Sequence, residues 1–203
     1  MGNPEHEEQD QPIVNIRGHA VALGPLHQRM LPALEKWQNN PRTVDLGGDD
    51  PRPISSAALA AQWEPLIRGE RSDWLGFAIY TMPDLRLIGH ANVRDFTNAH
   101  GTAEIGITIG EFGERGKGYG TEAVRLLLAY AFQHLNVWNV WLDTAAYNRA
   151  AIRAYEKAGF REIGRRRGAR VVGGKRYDIV LMDCTREDFF RLFPQEGESA
   201  ISA

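Results

Sequence analysis

Residues 115–120 read Arg-Gly-Lys-Gly-Tyr-Gly and lie between a strand-like segment, residues 103–109, and a helix-like segment, residues 121–134. A glycine-rich turn that leads into a helix presents free backbone N–H groups and the positive end of the helix dipole at one point. The sequence therefore predicts a phosphate site in which the N–H groups of residues 117–121 hold the anion, and in which glycine permits its close approach.

The spacing of this turn limits which phosphate ligand it can hold. A P-loop requires Ser or Thr after its lysine, whereas Gly118 follows Lys117. The dinucleotide fingerprint requires its third glycine three residues after the second, but Gly116, Gly118 and Gly120 alternate. The remaining alternative to a phosphate site is a flexible turn in which Arg115 and Lys117 are solvated.

A second segment, residues 140–160, reads VWLDTAAYNRAAIRAYEKAGF. The β-type residues at its start predict a strand. A helix that carries Tyr155 should follow, with Asn148 as its capping residue and Gly159 at its end. The helix begins about 30 residues after the glycine turn, so the two segments form an ordered pair.

Together, the two segments resemble the acyl-coenzyme A signature of the GNAT superfamily of N-acetyltransferases. Arg115, Gly118 and Gly120 match its Arg/Gln-x-x-Gly-x-Gly/Ala element, and Asn148 followed seven residues later by Tyr155 matches its second element. The resemblance covers residues from about 16 to about 183. It implies acetyl-coenzyme A as cosubstrate, with no metal.

Periodicity and turn residues predict the order of the elements. They are a strand within 13–23, a helix over 26–37, an irregular segment 39–53, a helix over 57–67 capped by Ser55 or Ser56, strands 74–81, 85–94 and 102–109, the helix 121–134, a strand 140–144, the helix after Asn148, and a hairpin of 162–172 and 175–183. Three strands in close succession predict an antiparallel meander.

The fold class is α/β (α+β), with a mixed, mostly antiparallel sheet and helices on both faces. The resemblance adds that two neighbouring central strands splay apart and that the coenzyme lies in the gap. We predict a mobile acidic tail over residues 1–12, the acyltransferase domain over 13–185 and a C-terminal helix or tail over 186–203. The apolar residues of that last segment predict a helix that docks on its own domain or on a second copy.

The resemblance also implies the roles of individual residues. Tyr155 is the candidate acid for the departing thiolate, against the alternative of a core tyrosine. Glu104 is the candidate base, acting through a water, against the alternative of a strand residue paired with Arg94. Asn148 can cap its helix, worth about 1 kcal/mol, and also bond the pantetheine amides. The predicted coenzyme site further includes Ile107, Ile109, Arg115, Gly116, Lys117, Gly118, Tyr119, Gly120 and Thr121.

Composition and charge are typical of an ordinary single-domain enzyme. The chain has 203 residues, of which 43% are hydrophobic and 25% are charged, and its net charge is -2. That charge does not favour nucleic-acid binding. The single Cys184 cannot form an internal disulfide, and the histidines lack metal spacing. Without a secretory or membrane signal, we expect a cytoplasmic protein.

Two hypotheses of different class follow. The first is an enzyme that transfers acetyl from acetyl-coenzyme A to a primary amine in a ternary complex, and the second is a non-catalytic acyl-coenzyme A sensor or interaction module. Residues 37–41, 104–106 and 118–123 resemble the branch with ribosomal-protein alanine and spermidine N-acetyltransferases. A protein N-terminus, a polyamine and a small-molecule amine stay open as substrates, and the resemblance implies a possible homodimer.

Overall fold

The computed structural model describes residues 11–47 and 52–198. Eight strands in this part of the chain form one sheet. They are β1 (Ile16–Arg17), β2 (Val21–Pro25), β3 (Trp74–Thr81), β4 (Leu87–Arg94), β5 (Thr102–Ile109), β6 (Asn139–Ala145), β7 (Arg161–Val172) and β8 (Lys175–Thr185). The helices are α1 (Leu31–Gln38), α2 (Pro41–Gly47), α3 (Ser56–Ile67), α4 (Tyr119–His134), α5 (Arg149–Ala158), α6 (Arg186–Leu192) and α7 (Gln195–Glu198).

The strand order in the sheet is β1-β2-β3-β4-β5-β6-β8-β7, and β5–β6 is its one parallel pair. The mixed, mostly antiparallel sheet and the meander of β3, β4 and β5 confirm the prediction. Short loops join these strands, which favours antiparallel neighbours. The predicted start of β4 at Leu85 is wrong by two residues, because Leu85 has a φ of 50° and lies in the turn.

The sheet splits between β5 and β6. The two strands pair only where Thr102–Glu104 lies beside Asn139–Trp141. Beyond these residues, β5 stays paired with β4 as far as Ile109, and β6 stays paired with β8 as far as Ala145. Each strand thus keeps its outer neighbour while the two diverge, which confirms the predicted central splay.

Hydrophobic cores lie on both faces of the sheet, as predicted. Alternation along β3 directs Phe77 and Ile79 toward the core that contains α4 and α5. Ala78 and Tyr80 point to the other face, where α1 and α3 pack. Period-two alternation therefore explains why one strand serves two layers.

Helix boundaries follow their capping residues. Ser55 Oγ accepts a hydrogen bond from the N–H of Ala58 at 3.3 Å, and α3 begins at Ser56. Gly159, with a φ of 106°, ends α5 in the left-handed conformation. Both the cap of α3 and the end of α5 confirm the sequence prediction.

The segment 39–53, predicted to be irregular, contains helix α2, so that prediction is wrong. The helix begins at Pro41. Proline is favourable in the first helical position, because the N–H that it lacks would have no partner within the helix there. Residues 48–51, which include part of the acidic stretch 45–50, lie outside the described residues.

The C-terminal helix α6 docks on its own domain. Phe189 is fully buried, and its ring centroid lies 5.5 Å from that of Phe132 on α4. Leu192, on the same helix, stays 54% exposed. Residues 1–10 of the predicted tail and residues 199–203 lie outside the described residues. In the part of the chain that is described, no helix has both the length and the apolar content needed to cross a membrane.

Candidate active site at the strand splay

The glycine turn leads from the end of β5 into α4. A 3₁₀ turn over Phe112–Glu114 precedes it, and α4 begins at Tyr119, two residues earlier than predicted. Gly116 and Gly118 have φ values of 79° and 90°, which favour glycine. A Cβ atom at either position would meet no atom within 4 Å. The turn is therefore open toward solvent.

The start of α4 keeps its first N–H groups available. Gly118 is the N-cap residue and has no side chain with which to accept a hydrogen bond from them. Gly120 packs on the end of β5, where its ideal Cβ position lies 3.8 Å from Ile109 Cγ1. The partly buried side chains of Ile107 and Ile109 pack against the same core. The predicted coenzyme residues of β5 and α4 are thus neighbours.

Lys117 forms an ion pair with Glu114 instead of pointing freely into the turn. Its Nζ lies 2.8 Å from a carboxylate oxygen of Glu114, and Arg86 Nη1 lies 2.9 Å from the other oxygen. The hydrogen bonds from Lys117 and Arg86 lower the pKa of Glu114. One carboxylate is shared by two cations, so the charge of Lys117 is only partly offset, and its contribution to anion binding stays a prediction.

Arg115 folds back over the turn. Its Nε donates to the carbonyl of Ile109 at 2.8 Å, and its guanidinium carbon lies 3.9 Å from the centroid of the Phe112 ring. Arg42 of α2 lies over the same ring at 4.5 Å. Burial, and next the charge of Arg42, lower the pKa of Arg115. Sequence reasoning missed Arg42, because only the fold brings α2 to this position.

Asn148 uses both ends of its side-chain amide within the protein. Its Oδ1 accepts from the N–H of Ala151 at 3.2 Å, which confirms the cap, and its Nδ2 donates to the carbonyl of Leu46 at 3.1 Å. The neighbouring Tyr147 hydroxyl donates to the carbonyl of Asp45. These bonds fix α2 against the start of α5, and the contact of Asn148 with pantetheine stays a prediction.

Tyr155 lies on the buried side of α5. Its side chain is 8% exposed and its ring meets Phe160 edge-on at 5.9 Å. Burial, assisted by the negative charge of Asp143, raises the pKa of Tyr155 to about 12. Within residues 11–47 and 52–198 its hydroxyl has no hydrogen-bond partner. Tyr155 is therefore a protonated donor that is free to serve a ligand.

Glu104 is the last residue of β5 that is paired with β6 before the splay. It lies opposite Arg94 of β4, and its carboxylate accepts a hydrogen bond from that guanidinium. The Glu104 side chain is 13% exposed and that of Arg94 is 40% exposed. The structure thus contains the ion pair that was the alternative to a base, and it places Glu104 beside the splay, so the role of base stays a prediction.

His90 is a further candidate for the base. It lies on the same sheet face as Glu104, on β4, four residues before the Arg94 that pairs with Glu104. Its ring stacks on Trp37 at 6.4 Å and meets Trp63 edge-on at 4.9 Å. Burial lowers the pKa of His90 to about 4, so the imidazole is neutral at pH 7. Sequence reasoning considered His90 only for metal spacing, although the alternation of β4 places it on one face with Asn92 and Arg94.

A cavity of about 570 Å³ adjoins the glycine turn. Gly118 and Thr121 line it on one side, and the basic residues Arg17, Arg125 and Lys157 lie around it. Its volume is in the range of small-molecule sites. The cavity extends the turn toward α5. Its lining also contains the acids Glu122 and Glu196, and Glu196 pairs with Arg125 at 2.8 Å, so Arg17 and Lys157 supply the remaining positive charge.

Other chemistry has little support at this site. In the described residues, no group of three or more His, Cys, Asp or Glu side chains can hold a metal ion. Cys184 is buried, and burial raises the pKa of its thiol to about 12. A thiol that stays protonated is a poor nucleophile.

Comparisons with known proteins all identify acetyltransferases. The acetyltransferase (GNAT) domain family matches residues 21–161. The chain is 37% identical over 98 residues to the probable N-acetyltransferase YjcK of Bacillus subtilis, covering 48% of this chain and 54% of YjcK. It is 30% identical over 125 residues to the putative ribosomal N-acetyltransferase YdaF of the same organism, covering 62% of this chain and 68% of YdaF. The chain thus spans just over half the length of the first relative.

A solved structure shares the fold. The spermidine N-acetyltransferase of Vibrio cholerae, in complex with CoA and spermine, superposes with a TM-score of 0.76 at 23% identity. The match covers 84% of this chain and 98% of that one.

Proposed function

Because the chain belongs to the acetyltransferase (GNAT) domain family, we propose that it is an acetyl-coenzyme A-dependent N-acetyltransferase, which transfers acetyl to a primary amine by direct attack in a ternary complex. The observation that carries this proposal is the combination of an open glycine turn at the start of α4 with the splay of β5 and β6. Tyr155, with its unpaired hydroxyl, is buried in the core on the α4 side of the sheet.

The turn fits a diphosphate. The first N–H groups of α4 are left uncapped at Gly118, and a helix N-terminus favours negative charge. Gly116 and Gly118 leave open the space that a Cβ atom would fill. The adjoining cavity of about 570 Å³ can take the remainder of a nucleotide, close to Arg125 and Lys157. Bound there, acetyl-coenzyme A supplies an acetyl group already activated as a thioester.

The protein must also accept a proton from the amine. An alkyl ammonium with a pKa of about 10.4 is about 3.4 units from neutrality at pH 7, equivalent to about 4.6 kcal/mol. Glu104 is our proposed base, acting through a water, because its carboxylate lies at the point where the strands separate. His90 is not our proposed base, because its ring packs against Trp37 and Trp63.

We propose a primary amine as the acceptor. It is a protein N-terminus, a polyamine or a small-molecule amine. The Vibrio cholerae neighbour is a spermidine acetyltransferase and the Bacillus subtilis relative YdaF is a putative ribosomal acetyltransferase. We propose that the same reaction type operates here, on an amine that approaches from the side of α1 and α3. The homodimer, the cytoplasmic location and the domain limits at residues 13 and 185 stay predictions.

A thiol-release assay across an amine panel tests the proposed function. The full chain is incubated with acetyl-coenzyme A and, separately, with a peptide N-terminal amine, spermidine or an aminoglycoside. We expect amine-dependent release of free thiol and acetylated amine detectable by mass spectrometry. Binding of acetyl-coenzyme A without thiol release from any amine would favour the sensor alternative, and absence of binding would contradict both.

The role of Glu104 can be separated from that of its ion pair. We expect Glu104→Gln to lower kcat/KM about 10- to 100-fold, because it removes the carboxylate that takes the proton. This is less than the roughly 10²- to 10⁴-fold of a group that transfers the proton directly, since Glu104 acts through a water. The matched variant Arg94→Gln breaks the same ion pair but retains the carboxylate, so its kcat/KM should stay near the wild-type value. Thermal melting of both variants measures the structural effect of losing the pair. Equal losses of kcat/KM in the two variants would mean that Glu104 only supports the strands.

A further inference from the structure

Two guanidinium groups share one aromatic ring at the edge of the glycine turn. The guanidinium carbon of Arg115 lies 3.9 Å from the centroid of Phe112, and that of Arg42 lies 4.5 Å from it. Arg115 comes from the turn itself, whereas Arg42 is on α2, more than 70 residues earlier in the chain. The ring thus joins the coenzyme turn to a separate helix.

Among the described residues, no acid neutralises either guanidinium. Within residues 11–47 and 52–198, no carboxylate forms an ion pair with Arg42 or Arg115. The two acids that flank the ring in sequence are already engaged. Glu111 accepts hydrogen bonds from Lys36 and Trp37, and Glu114 accepts them from Arg86 and Lys117.

Two like charges held close together without a counter-ion repel each other. The repulsion is consistent with the lowered pKa of Arg115, for which burial is the larger cause and Arg42 the second. An anion that binds both groups would remove this repulsion. Planar guanidinium groups also match phosphate oxygens in geometry, with two parallel N–H donors each.

The protein holds the Arg115 side chain and the helix that carries Arg42. The Nε of Arg115 is fixed on the carbonyl of Ile109, which leaves its terminal nitrogens for other acceptors. Arg42 stands at the start of α2, and the rest of α2 is fixed through its carbonyls. Arg170 donates to the carbonyl of Val44 at 3.2 Å, and Asn148 donates to that of Leu46.

We propose that Arg42 is a ligand of the diphosphate of acetyl-coenzyme A and that it completes, with Arg115, an anion site across Phe112. The inference rests on the proposed function, because it names a further residue for the same coenzyme. Arg42 lies outside the glycine turn, and no element of the motif at residues 115–120 predicts it. With this role for Arg42, α2 would contact the diphosphate at its first turn, and its last turn is bonded to Asn148 at the start of α5.

Calorimetric titration with coenzyme A at low ionic strength tests this site. We expect Arg42→Ala to weaken coenzyme A binding about tenfold, as for the loss of one charge-assisted contact. The affinity of Arg42→Lys should lie between those of the wild type and Arg42→Ala. The matched control is Arg68→Ala, at the far end of α3, where the guanidinium pairs only with surface acids. It should leave binding unchanged. Because Arg42 is exposed, its effect should shrink in high salt.

A second arm identifies the phosphate. With 3′-dephospho-coenzyme A, Arg42→Ala should again weaken binding about tenfold, because the diphosphate is still present. If the difference between wild type and variant vanishes with this ligand, Arg42 contacts the 3′-phosphate and the proposal is wrong. Equal affinity of wild type and Arg42→Ala for coenzyme A would also overturn it. Failure of the wild type to bind coenzyme A would instead contradict the proposed function.

Discussion

The Tyr155→Phe variant is expected to turn over acetyl-coenzyme A about 10²- to 10⁴-fold more slowly than the wild type, the range that a positioned acid contributes. The Tyr155 side chain is only 8% exposed, and burial with the charge of Asp143 raises its pKa to about 12. The Tyr155 hydroxyl has no hydrogen-bond partner among the described residues, and its oxygen is not one of their fully buried polar atoms, so a ligand can reach it. We propose that its partner is the departing thiolate.

Removing this hydroxyl should affect turnover without affecting the fold. No protein hydrogen bond is lost, so the melting temperature and the affinity for coenzyme A should stay close to those of the wild type. The matched control is Tyr130→Phe on α4, whose ring meets Phe77 edge-on at 5.4 Å and which is not part of the proposed site. Thiol release measured on all three proteins decides the matter. Wild-type turnover by Tyr155→Phe would remove Tyr155 from the role of acid.

The raised pKa also fixes the sign of the pH dependence. A tyrosine donates only while protonated, and a folded-state pKa of about 12 keeps Tyr155 protonated across the neutral and moderately alkaline range. Wild-type kcat should therefore show no alkaline loss with a midpoint near the ordinary tyrosine pKa of about 10. A loss centred there, absent from Tyr155→Phe, would mean that the phenol titrates normally and is not enclosed as the structure has it.

Much of the fold was predictable because its signals are local. Alternating residues gave the bounds of β3 and β5, and Asn148 and Gly159 marked the ends of α5. Helix α2 escapes prediction because prolines usually interrupt helices, whereas Pro41 occupies the first helical position, where its missing N–H costs nothing. The splay came from the family resemblance, since no periodicity in β5 or β6 indicates where pairing stops.

The candidate site was predictable where it lies in one segment and not where distant segments meet. The glycine turn and its opening onto α4 follow from residues 115–121 alone. The ion pair of Arg86 with Glu114 depends on the approach of the β3–β4 turn. Likewise, Arg42 reaches Phe112 from helix α2, which is bonded to Asn148 across 102 positions of the sequence.

The Gly118→Ala variant is expected to bind coenzyme A about 10²- to 10³-fold more weakly than the wild type. The new Cβ meets no protein atom within 4 Å, so it stands in the open space of the turn, where we place the diphosphate. It would displace the ligand from the uncapped N–H groups of α4. Losing two charge-assisted hydrogen bonds, each worth about 1.5–3 kcal/mol, corresponds to about 10²-fold or more in affinity.

Backbone strain must be separated from this steric block, because Gly118 has a φ of 90° that alanine adopts only at a cost of about 1–2 kcal/mol. Gly69 provides the matched control. Its φ is 69°, a Cβ there also meets nothing within 4 Å, and it lies in the loop between α3 and β3, at the far end of α3. Gly69→Ala and Gly118→Ala should therefore lose similar melting temperature, whereas only Gly118→Ala should lose coenzyme binding in calorimetry. If Gly118→Ala bound coenzyme A as tightly as Gly69→Ala, the diphosphate would have to lie elsewhere, because no ligand can approach these amides closely with a methyl group in the turn.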